Sequence, residues 1–162
     1  MLPGCDFLRC FAGVNMRTLI VLLFTLSLFP GHSRADAAAI EAARGVMDDF
    51  IRTFNARDEA AWADTLLFPH VRVASGGVTV TPTKAEFVAT TDLDQFAQEN
   101  NWSHSQWDDI SVIQAGPDKV HFKVTFSRFN PRGERYATFD SLYVLQKTEQ
   151  GWGIRLRSSF AP

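Results

Sequence analysis

The stretch from Lys119 to Phe160 most constrains what this chain can fold into, because it contains three consecutive runs with the two-residue period of half-buried strands. Val120, Phe122, Val124 and Phe126 fall on one face of the first run, and His121, Lys123, Thr125 and Ser127 fall on the other. Asn130-Pro131-Arg132-Gly133 supplies a turn, with Pro131 fixing φ and Gly133 tolerating a positive one, before a second run from Arg135 to Lys147. A third run, Trp152 to Phe160, follows Glu149-Gln150-Gly151; plain alternation puts Trp152, Ile154 and Leu156 on one side and Arg155 and Arg157 on the other. Three antiparallel strands sharing one apolar face require a second layer to cover it.

That cover lies upstream. Ile40, Ala43, Met47, Phe50, Ile51 and Phe54 recur at helical spacing with Glu41, Asp48, Asp49 and Arg52 between them, which predicts an amphipathic helix over 38–55. Asp58 can cap a second, shorter helix that buries Ala60, Ala61, Trp62 and Leu66, and Pro69 is expected to end it. His70 to Ala74 and Val78 to Thr81 read as a hairpin about Gly76-Gly77. Thr83-x-x-Glu86 has the form of a capping box opening one helix through Phe87 to about Ala97, broken at Asn100-Asn101. Trp102 to Gln114 then reads as a strand leading through Gly116-Pro117-Asp118 into the three runs. The order predicts an α+β domain, with helices gathered on one face of a strongly bent antiparallel sheet.

The chain before this domain has a different character. Met16-Arg17 precedes an uncharged apolar run from Thr18 to Phe29, and Ala35-Asp36-Ala37 suits a signal peptidase. Residues 1–37 are therefore read as a signal peptide, cut after Ala37 with the bond after Ala35 as the second choice, and residues 38–162 as the domain. Translation starts at Met1 or at Met16; Met16 has the better flanking charge, which makes the residues before it an upstream extension. The apolar run is too short for a membrane span, so the expected location is periplasmic or secreted, with an uncleaved anchor as the alternative. Both cysteines, Cys5 and Cys10, precede Met16, which leaves the mature chain without disulfide or thiol chemistry and excludes a lipoprotein.

From Ala38 onward, thirteen Lys and Arg stand against sixteen Asp and Glu, a balance of −3. A mixed, mildly acidic surface argues against a nucleic-acid partner. Ten Phe, four Trp and two Tyr in this part suffice for a single core without metal or disulfide.

Three local patterns carry a resemblance: Phe50-Ile51-x-x-Phe54-Asn55-Ala56-Arg57-Asp58, Leu67-Phe68-Pro69-His70, and Gly151-Trp152-Gly153-Ile154 followed by Ser158-Ser159. From Ala38 to Phe160 the chain resembles the NTF2-like superfamily, in its SnoaL-like or ketosteroid-isomerase-like branch. The resemblance implies a cone whose curved sheet wraps the first helix, with a pocket at the open end and often a homodimer through the outer sheet face. It also implies that any chemistry is cofactor-independent, with a pocket carboxylate or histidine moving a proton and a Tyr, Asp or Trp steadying an oxyanion. In ketosteroid isomerases the base lies just beyond the first strand; here that region is Val73-Ala74-Ser75-Gly76, which has no acid.

Candidate catalytic residues are His70, His104 and Asp140. His70 and Arg72 share one face of their strand; turned inward they can hold and protonate an anionic or carbonyl ligand, and turned outward both are solvated. In His104-Ser105-Gln106-Trp107-Asp108-Asp109, His104 and Asp108 share a face on a strand or a helix, either as an imidazole oriented by a carboxylate or as a rim strand packed by Trp107. Asp140, among Thr138, Leu142 and Val144, is either a pocket acid or one half of an ion pair with Arg128 or Arg157. Arg72, Trp107, Asp108, Phe54, Phe126 and Tyr136 are the expected ligand contacts. No metal site and no cofactor are expected. The reading these features support is an exported domain binding a small, largely apolar molecule, with no assigned reaction and no stable membrane association after cleavage. A lyase, isomerase or hydrolase using a pocket His or Asp, and a dimeric interaction module without catalysis, stay open beside it.

Overall fold

Ala43, Met47 and Phe50, three and four residues apart, are all buried along one side of α1 (Arg34–Ala56) in the computed structural model, which describes residues 34–162. The segment before residue 34, and with it most of the expected signal peptide, lies outside the described residues; α1 begins four residues ahead of Ala38. No described helix is long and apolar enough to cross a membrane. The helix stops where Arg57 turns to a φ of 58°. Asp58 then accepts from the Ala61 N–H at 2.9 Å and starts α2 (Glu59–Asp64).

The described residues form six strands, two before and four after a second helical stretch: β1 (Leu66–Ala74), β2 (Gly77–Thr81), β3 (His104–Gly116), β4 (Lys119–Phe129), β5 (Arg135–Thr148) and β6 (Gly151–Ser159). They form one sheet in the order β2-β1-β6-β5-β4-β3. Every neighbouring pair is antiparallel except β1 and β6, which run parallel. The alternation in the sequence places β4 correctly: Val120, Phe122 and Val124 are fully buried beneath α1, each contributing about 1.5–3 kcal/mol of burial.

Polar contacts fix the helix on this concave face. The Asn55 amide pairs with the Ser105 backbone in both directions, at 2.9 and 2.8 Å, in the manner of an added strand residue. Trp107 donates to the Met47 carbonyl at 3.3 Å and Arg44 to the Ile110 carbonyl at 3.2 Å. The α+β architecture expected from the sequence, a curved sheet wrapped around N-terminal helices, is what the chain adopts.

Two expectations are corrected. Pro69 lies inside β1 instead of ending the preceding helix. The single helix expected from Thr83 to about Ala97 is two, α3 (Lys84–Thr90) and α4 (Leu93–Glu99). Asp92 causes the break, because its carboxylate accepts from the Gln95 N–H at 2.7 Å and caps a fresh helix.

Candidate ligand-binding site

The open end of the cone is built by side chains arriving from four strands. On β1, His70 and Arg72 turn inward; on β4, Arg128 extends the buried row of Val120, Phe122, Val124 and Phe126. Arg157 reaches the same space through a bulge. Leu145 pairs with Ile154 while Val144 pairs with Leu156, so Arg155 is an extra residue, and from there the faces of β6 exchange. Arg157 therefore sits beside Tyr143 of β5 on one side and Arg72 of β1 on the other.

His70, Arg72, Arg128 and Arg157, with Thr79 and Thr81 of β2, line a cavity of about 420 Å³. Its opposite wall is apolar and aromatic: Phe54 of α1, Trp62 of α2, Phe87 of α3, and Leu93 and Phe96 of α4. The break between α3 and α4 supplies part of the rim, with Thr91 and Asp92. A void of about 40 Å³ adjoins it on the core side, bounded by Trp107, Phe126 and Tyr143 and sharing Phe54, Trp62, Arg128 and Arg157.

Two of the three guanidiniums lie over aromatic faces. Arg128 lies over Phe96 at 5.0 Å and Phe139 at 5.1 Å, and Arg157 over Trp62 at 5.3 Å and Phe50 at 5.5 Å. None of the three forms an ion pair among the described residues. Arg72 donates to the main-chain oxygen of Pro162 at 2.7 Å. Burial and, after it, the neighbouring Arg157 lower the pKa of Arg72; burial also lowers that of Arg128. Both stay charged, since a guanidinium does not deprotonate in proteins. Burial pushes the Tyr143 hydroxyl up, against the pull of a hydrogen bond with Arg157.

His70 is almost completely enclosed, and its Nδ1 lies 3.1 Å from the Ile154 carbonyl oxygen. That oxygen can only accept, so the neutral ring carries its proton on Nδ1 and presents a lone pair at Nε2. Burial, followed by the charge of Arg157, pushes the His70 pKa down to about 4. Among the described residues, four buried side-chain nitrogens have no hydrogen-bond partner: Trp62 Nε1, His70 Nε2, Arg128 Nε and Arg157 Nε. All four residues line this cavity.

Of the residues singled out in the sequence, His70, Arg72 and Phe54 line the cavity, and Trp107 and Phe126 line the void beside it. The others are elsewhere. His104 stacks flat on Phe129, at 4.8 Å, away from the cavity wall. Asp108 is the extra residue of a bulge in β3 and accepts from Ser127 and Arg135, so it does not orient His104. Asp140 is exposed and accepts from Thr125 at 2.7 Å; the inward face of β5 belongs to Ser141, Tyr143 and Leu145. Neither Arg128 nor Arg157 pairs with it. Tyr136 is 42 % exposed, with its hydroxyl against Arg128.

The geometry thus matches a cone closed at one end by a helix and open at the other. A family model described as "NTF2-like protein (DUF6841)" matches residues 40–159. The chain belongs to this NTF2-like family. Among solved structures, an NTF2-like protein with a cystatin-like fold from Novosphingobium aromaticivorans superposes with a TM-score of 0.63 at 12% identity, covering 91% of this chain and 90% of that one. A Catenulispora acidiphila protein in complex with S-DNPA gives 0.61 at 12%, covering 76% and 93%. A ketosteroid isomerase-like protein from Erwinia carotovora gives 0.53 at 18%, covering 75% and 96%. No curated protein matches the sequence. At these identities the NTF2-like neighbours share the fold alone.

Sequence reasoning missed Arg128, Arg157, Tyr143 and the role of Trp62 as cavity wall. Arg128 was within reach, because the alternation that places Phe126 inside continues to it. Arg157 was not, since only the bulge at Arg155 turns it inward.

Proposed function

We propose that this NTF2-like domain binds a small organic molecule at the open end of its cone. The observation that carries the reading is that four residues lining one cavity each hold a buried side-chain nitrogen without a hydrogen-bond partner. An unsatisfied buried polar group costs about 1–3 kcal/mol, so a cluster of four favours an occupant that restores those bonds. The apolar wall opposite suits the body of such a molecule.

The test is native mass spectrometry of the purified protein, together with its melting temperature in a panel of small aromatic and aliphatic acids, alcohols and ketones. A noncovalent adduct, or a melting temperature raised by one class, is expected. A protein that carries no adduct and whose melting is unmoved by every compound overturns the reading.

A second reading, proton transfer to His70, has one observation in its favour: the ring lines the cavity, and its unpartnered Nε2 is unprotonated above about pH 4. Two further parts of the proposal rest on the sequence and the outer surface. The leader-like segment supports export to the periplasm or beyond. Val71, Leu156 and Val144, in register across three strands on the outer sheet face, support pairing of two copies there.

A further inference from the structure

We propose that the ligand of this cavity carries an oxyanion on an apolar body, and that Arg72, Arg128 and Arg157 hold the oxyanion. The inference rests on the small-molecule reading above and adds the charge class to it.

Arg72 and Arg157 are direct register partners on adjacent strands, an arrangement that costs stability for like charges. Arg128 faces the same cavity from β4. Where such positions are structural, a carboxylate normally sits between them. Among the described residues no carboxylate side chain does so: Asp92, the acidic side chain on the cavity wall, is engaged in capping α4, and Arg72 meets only the main-chain oxygen of Pro162. Aromatic stacking does not replace it. The rings of Phe96, Phe139, Phe50 and Trp62 cover guanidinium faces, whereas hydrogen bonds leave through guanidinium edges. The Nε–H groups of Arg128 and Arg157 remain unpartnered along those edges. A planar or tetrahedral oxyanion accepts from edges of this kind and offsets the mutual repulsion of the three charges.

His70 adds a constraint of the opposite sense. Its Nδ1 is committed to Ile154, so Nε2 offers an acceptor beside the cations and fits a ligand that also bears a hydroxyl or N–H. The apolar body then extends toward Phe87 and Leu93 on the helical side.

The probe set is 1-naphthoate, 1-naphthyl phosphate, 1-naphthalenesulfonate and the neutral 1-naphthamide, titrated calorimetrically into the full-length domain. At least one anion is expected to bind about tenfold or more tightly than the amide, and the ranking among the three identifies the preferred oxyanion. Arg157→Gln and Arg72→Gln are each expected to erase that preference, so that the best anion binds no tighter than the amide to the same variant. Arg157 packs on Phe50 and Trp62, whereas Arg72 sits at the half-exposed edge, so the second variant holds the test open if the first misfolds. Amide binding as tight as every anion overturns the inference and leaves the small-molecule reading standing. An anion preference that survives in both folded variants also overturns it. Binding by none of the four compounds overturns it as well, and the adduct and melting measurements then decide the small-molecule reading separately.

Discussion

The His70 ring is held neutral by its surroundings, and this has a direct consequence for acid stability. Its folded pKa of about 4 lies below the ordinary 6.5, so between these values the unfolded chain holds a proton that the folded chain does not. Stability from this group is complete above about pH 6.5 and declines as pH falls toward 4, by up to about 3 kcal/mol. Chemical denaturation of the wild type across that window is expected to show the decline, and His70→Gln to show a flatter profile; parallel profiles contradict it. Asp140 is the contrasting residue. Its carboxylate lies on the outer face against Thr125, so Asp140→Asn is expected to change stability by no more than about 0.5 kcal/mol and leave ligand binding untouched. A binding loss in that variant would place Asp140 back in the functional site. The difference between the two was only partly legible in the chain. His70 shares a face with Arg72 whatever the register, but the inward side of β5 depends on whether Tyr143 or Leu142 is chosen as core, and two apolar rows of similar strength flank Asp140.

At the scale of elements, the sequence disclosed what periodicity controls and concealed what bulges and caps control. The helix through Met47 and Phe50, the hairpin, and the β4–β5–β6 meander all follow from spacing alone. Spacing did not disclose the exchange of faces at Arg155, nor the break at Asp92, since each depends on one residue whose partner is distant or equally consistent with a continuous element. The seam between β1 and β6 is equally specific. A Cβ at Gly153 would stand 2.7 Å from Leu67 Cγ, so Gly153→Ala is expected to cost about 1–3 kcal/mol by overpacking, read as a lower melting temperature. An unchanged melt would mean that β1 yields freely, and the alignment of Arg72 with Arg157 would then need another support. Asn55 performs the matching task at the far edge. Asn55→Ala leaves the Ser105 N–H and carbonyl without their partner and is expected to cost about 1–3 kcal/mol, while Asn55→Asp, which keeps only the acceptor, should fall between the two.

For the whole molecule, two expectations are open to direct measurement. Expressed in an export-competent host, the chain is expected to begin at Ala38, or at Asp36 if the second bond is cut; N-terminal sequencing that finds residues upstream of these removes the proposed location. The domain that remains is expected to run at twice its monomer mass in light scattering, and a monomer at all concentrations removes the proposed pairing through the outer face. The strand order carries a last consequence. β6 is the final strand of the sheet, yet it lies between β1 and β5 and joins the N-terminal hairpin to the meander. Without Gly151–Ser159, the ribbon carrying His70 and Arg72 and the meander carrying Arg128 and Tyr143 would share no strand pairing, and only the helical layer would link them. Loss of the nine residues of β6 would therefore remove Arg157 and split the sheet at the binding chamber in a single step.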